Sequence, residues 1–115
     1  MLLLFSCFQI YLARGQKKFV SRDEKETFKT AYIDKLTENL SMLRAKAGVT
    51  QGDVADRIGI ARQTYSAIEC GRSRMSWNTF MSLILFFKEN PQTQEVIKIL
   101  GIYTDELEKY IKVKD

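Results

Sequence analysis

Histidine is absent from this chain of 115 residues, and cysteine occurs only twice, as Cys7 and Cys70. The first absence removes the commonest general base and metal ligand, and the second leaves too few thiols for a zinc site, in no pairing pattern. A reduced, cytoplasmic chain with no metal and no cofactor is expected. Proline is nearly missing, with Pro91 alone, and there are six glycines in a chain that is 45% apolar. So few helix breakers point to an all-α protein, one domain in length, that can bury a real core. No apolar run approaches the roughly 20 residues that a membrane-spanning helix needs, so membrane association is not expected. Nor is catalysis, because no serine, Ser66 included, has a base spaced to activate it.

Charge is unevenly placed around a net value of +4. Residues 1–49 hold nine Lys and Arg against five Asp and Glu, residues 50–76 four against three, and residues 77–115 five against six. The acidic C-terminal part suits a protein partner better than DNA. Net charge alone is weak support for nucleic-acid binding; Arg57, Arg62, Arg72 and Arg74, set around one short stretch, carry more weight.

The chain opens on MLLLFSCFQIYLARG, which lacks the basic residues that precede a secretory core and has no clear cleavage pattern. Three readings stay open: a tail that docks on the protein or its partner, a weak membrane-surface anchor through Leu2 to Leu12, or a start placed too far upstream. The last is favoured, since the recognisable pattern begins only near Ile33.

From Ser21, which makes a capping-box spacing with Glu24, Phe28, Tyr32, Leu36, Leu40, Leu43 and Ala47 recur at three or four residues. This predicts one long helix, or two broken near Asp34. Thr50 is a good N-cap for a helix over about Gln51 to Ile58, whose Val54, Ala55 and Ile58 make one apolar stripe. Gly59 ends it, since a residue without Cβ can take the left-handed conformation of a sharp exit. A second short helix, about Arg62 to Glu69, buries Tyr65 and Ile68, with the Tyr65 hydroxyl expected at the surface. Arg62, Gln63, Ser66 and Ala67 then face out. Arg can bond guanine bidentately, Gln can do the same to adenine, and Ser or Ala lets a base edge or thymine methyl come close.

Ser76 should cap a fourth helix, WNTFMSLILFFKEN, whose apolar residues cover more than one face. Asn90-Pro91 restarts the chain, a helix over about Thr93 to Leu100 stops at Gly101, and a last one runs from Thr104 or Asp105 to about Lys112. The excess apolar surface must be buried twice, against the domain and against something else. The Trp77 to Phe87 run therefore reads as core plus dimer contact rather than a ligand pocket, with Phe80, Ile84, Phe87, Leu100, Tyr103 and Leu107 expected to hold a homodimer.

Residues 50–74, TQGDVADRIGIARQTYSAIECGRSR, together with Leu43-Arg44 and Lys46, resemble the phage-repressor (Cro-like, XRE) helix-turn-helix family over roughly Ile33 to Phe87. The like residues are Gly48-Val49-Thr50-Gln51, Val54-Ala55, Ile58-Gly59-Ile60, Arg62-Gln63-Thr64-Tyr65, Ile68-Glu69 and Gly71-Arg72. The resemblance implies that Gln51 and Thr64 touch phosphates, that Arg62, Gln63 and Ser66 face bases, and that Arg72 and Arg74 grip the DNA backbone. It also implies an ion pair between Arg44 and Glu69. Ala61 departs from the family's usual Ser or Thr cap, and Cys70 replaces a common polar residue.

The sequence is thus expected to fold as a compact bundle of about five to six helices, a lambda-repressor-like domain with a C-terminal helical extension. Its parts are an extension over 1–20, a DNA-binding domain over 21–90 and possible dimerisation helices over 91–115. The expected function is sequence-specific binding of double-stranded DNA by a homodimeric regulator, a repressor, with the helix at about 62–69 in the major groove. The rival expectation is an antitoxin that caps a toxin with its acidic C-terminal helices and binds its own operator.

Overall fold

The computed structural model describes residues 22–113. Six helices and no strand occur among them: α1 (Arg22–Ala47), α2 (Gln51–Ile58), α3 (Arg62–Glu69), α4 (Trp77–Glu89), α5 (Gln94–Ile99) and α6 (Asp105–Ile111). The segment 1–20 and the capping residue Ser21 lie outside the described residues.

α1 is unbroken through Asp34 and runs for 26 residues. Nothing in its sequence stops it, because it contains neither Gly nor Pro, and Phe28, Tyr32, Ile33, Leu36, Leu40 and Leu43 keep one stripe buried along its length. Gly48, at φ 74, makes the exit. At about 1.5 Å per residue the helix is about 39 Å long, enough to back both the helix-turn-helix and the C-terminal helices.

α4 occupies the middle of the bundle and packs against α1, α2 and α5. Ser76 caps it by accepting from the Thr79 amide at 3.1 Å. Its far end is closed by side chains from the following turn: the buried Thr93 hydroxyl donates to the Phe87 carbonyl at 2.7 Å, and Asn90 Nδ2 donates to the Phe86 carbonyl at 2.7 Å. Those bonds satisfy carbonyls that the helix itself leaves without partners. The chain then turns through Pro91 and folds α5 back along α4.

The six side chains expected to hold a dimer divide by their burial within the chain. Phe80, Phe87 and Leu107 are fully enclosed and Ile84 nearly so, all within one chain, while Leu100 and Tyr103 are half-buried. A partner cannot use side chains that already have none of their surface in water. The surplus apolar face of α4 is met instead by α5, by α6 and by the first half of α1. Trp77 stacks on Phe80 at a centroid separation of 4.7 Å, Tyr110 of α6 meets Phe28 of α1 at 5.2 Å, and the Tyr32 hydroxyl bonds that of Thr104, the N-cap of α6. α5 and α6 add Ile97, Ile102 and Leu107 to the same core. Met42, Leu85, Ile99, Ile111 and Val113 are the large apolar side chains left exposed among the described residues. None of the described helices is long and apolar enough to cross a membrane.

Candidate nucleic-acid interface

The interface begins at a reciprocal cap. The Asp53 amide donates to Thr50 Oγ1 at 3.0 Å while the Thr50 amide donates to Asp53 Oδ2 at 3.1 Å, so two otherwise unpaired donors are satisfied at the start of α2. The same bonds, the Thr50 backbone first and its hydroxyl next, hold the Asp53 carboxyl below its ordinary range. α2 ends at Gly59, whose φ of 82 lets the chain reverse; the Gly59 and Ile60 amides both donate to the Ala55 carbonyl.

α3 starts at Ala61 with no side-chain cap. Tyr65 and Ile68 are buried and pin it inward, in the same core as Val54 and Ala55 of α2, on which α3 packs. At about 100° per residue, Arg62, Gln63, Ser66 and Ala67 fall within an arc of roughly 140° on the opposite side. Arg62 and Gln63 are exposed; Ser66 and Ala67 are half-buried. Thr64 is exposed at one edge. After α3, Gly71 at φ 86 releases the loop, and the Arg72 and Ser73 amides donate to the Ala67 carbonyl at 2.9 and 3.1 Å.

Behind this face α3 is anchored by Arg44 of α1. Its Nε and Nη2 donate to the two Glu69 carboxylate oxygens, each at 2.9 Å, and its Nη1 donates to the Val49 carbonyl at 3.1 Å. One guanidinium therefore ties α1, the loop before α2 and the last residue of α3 together. The Glu69 side chain is 8% exposed and that of Arg44 22%, so the pair is mostly dry. Arg44 foremost, with smaller help from Tyr65 and Gln51, holds the Glu69 carboxyl below its usual range, and the hydrogen bond to Glu69 raises Arg44.

Tyr65 differs from expectation. Its hydroxyl is buried beside the Arg44–Glu69 pair rather than at the surface, without a hydrogen bond of regular geometry, and burial raises its pKa well above that of a free tyrosine. Gln51 sits half-buried in the first turn of α2, on the side of the same pair. The two arginines after α3 are exposed but engaged: Arg72 Nη1 lies 2.8 Å from Cys70 Sγ, and Arg74 Nη1 lies 3.0 Å from Asp34 Oδ1 of α1. Asp34 is a neighbour that helical periodicity could not supply, because it lies 40 residues away on another element. The described residues contain no cluster of metal-ligating side chains.

This geometry is that of a helix-turn-helix: two short helices packed across a glycine turn, the second with a polar, outward face. The family comparison agrees: residues 35–85 match a family model described as a helix-turn-helix domain. No curated protein and no solved structure matches the chain. The matched region runs from the middle of α1 into α4, so the first half of α1 and both C-terminal helices lie outside it.

Proposed function

We propose that the protein is a cytoplasmic, sequence-specific regulator of transcription that lays α3 in the major groove of double-stranded DNA and acts as a repressor. The outward arc of Arg62, Gln63, Ser66 and Ala67 is the observation that carries this reading. Its residue types match the donor and acceptor patterns of base edges, and the Arg44–Glu69 pair holds the helix that presents them. In this reading Gln51 and Thr64 near the helix starts, and Arg72 and Arg74 after α3, meet phosphates on either side of that groove.

The protein acts as a homodimer in this proposal, because a single short helix buries too little surface for tight specific binding. Two copies on half-sites about one helical turn apart remove that limit. The contact between copies must then use surface other than the enclosed Phe80, Ile84, Phe87 and Leu107. Selection of bound duplexes from a random pool, followed by footprinting, tests the whole reading. A recovered site with two related halves is expected; enrichment of no sequence would overturn it.

A further inference from the structure

Gly52 stands apart from the other described glycines. Gly48, Gly59, Gly71 and Gly101 all have positive φ, where L side chains are strained, whereas Gly52 has the backbone of an ordinary helical residue in the first turn of α2. The fold does not require a glycine there. Inside a helix glycine is also less favourable than alanine, so its presence at position 52 calls for a reason outside the backbone.

The neighbour supplies it. A Cβ built on Gly52 would lie 3.6 Å from Cδ and 4.0 Å from Nε of Arg62, and 3.8 Å from Thr50 Oγ1. The Arg62 side chain therefore crosses directly over the first turn of α2 on its way from α3 to solvent. Its guanidinium makes no hydrogen bond or ion pair with another described residue and is exposed. A methyl group would fit at ordinary contact distance, whereas a longer side chain that ends in a carboxylate would start 4.0 Å from Arg62 Nε, within reach of an ion pair with the guanidinium.

We propose that Gly52 is a positioning residue for base readout. By presenting neither bulk nor charge under Arg62, it lets that side chain lie across α2 and keeps its fork of donors free for a base edge. This rests on the proposal that Arg62 reads a base; the pairing of the two residues is the added claim.

The test uses the full chain on its selected duplex, measuring discrimination at every base pair for Arg62→Ala, Gly52→Ala, Gly52→Gln and Gly52→Glu, with the melting temperature of each. Arg62→Ala identifies the pair that Arg62 reads, by relaxed discrimination there. Gly52→Glu should relax the same pair by up to about fivefold, the upper end for an exposed ion pair, and add nothing when combined with Arg62→Ala. Gly52→Gln, of equal size without the charge, should relax it less, and Gly52→Ala should leave it intact. A structural role would lower melting and weaken all duplexes alike, without singling out one base pair. If Arg62→Ala relaxes a pair and neither Gly52→Glu nor Gly52→Gln does, the positioning role is wrong while base reading stands. If Arg62→Ala relaxes no pair, base reading by Arg62 fails and the inference falls with it.

Discussion

Replacing Arg44 with Met, which keeps most of the stem and removes the charge, isolates what the guanidinium does. The native side chain makes two charge-assisted bonds to Glu69 and one to the Val49 carbonyl. In the variant the Glu69 carboxylate, only 8% exposed, would stay in place without its counter-charge. Removing one member of a fully buried pair costs about 3 to 5 kcal/mol. Arg44 at 22% exposure admits some water, which lowers the expected loss to about 2 to 3 kcal/mol. That is a large share of the total stability of a small domain, typically about 5 to 15 kcal/mol. Urea unfolding followed by helical circular dichroism at pH 7 gives the number directly. The pH dependence is a second check. The folded-state pKa of Glu69 is depressed, so the pair's contribution is complete above the ordinary glutamate value of 4.5 and fades as pH falls from there through the folded-state value. The gap between native protein and Arg44→Met should therefore narrow steadily in acid. A loss under about 0.5 kcal/mol at pH 7, as for a solvated surface pair, would refute the anchoring argument.

The other expectations follow from the same contacts. Arg62→Ala and Gln63→Ala should each cost about 1 to 3 kcal/mol on the selected site and much less on random duplexes; equal losses on both would place these side chains on phosphates. Arg72→Ala should weaken all sequences alike and lower the slope of log affinity against log salt by about one unit, and an unchanged slope would remove it from the interface. Asp34→Asn frees Arg74 from its exposed partner and should strengthen binding to any duplex by up to about fivefold, with no gain showing that the ion pair does not compete with phosphate. Leu107→Ala should destabilise the chain by about 2 to 5 kcal/mol in urea without changing its sedimentation at concentrations where it stays folded, since the side chain lies in the core of one chain; a shift in association state would return it to an interface.

Local grammar was readable from the residues alone. Thr50 and Ser76 cap, Gly59 reverses the chain, Tyr65 and Ile68 face inward, and Arg62 and Gln63 face out, because each of these depends on neighbours within one helical turn. The helix-turn-helix was visible for the same reason, being a unit whose pieces lie within 25 residues of one another. A pairing between Arg44 and Glu69 came from family resemblance; spacing along the chain carries no sign of it.

Tertiary structure decided what the apolar surplus was for. Counting apolar residues on α4 shows that more than one face must be covered, but hydrophobic burial is non-directional, and a count does not distinguish a partner's surface from the chain's own later helices. Phe80, Ile84, Phe87 and Leu107 went to the interior because α5, α6 and the first half of α1 close over α4. Likewise the buried Tyr65 hydroxyl, the Asp34 carboxylate beside Arg74, and the crossing of Arg62 over Gly52 are contacts between residues on different elements. They depend on how helices are set against one another in space, which periodicity along a single helix does not encode.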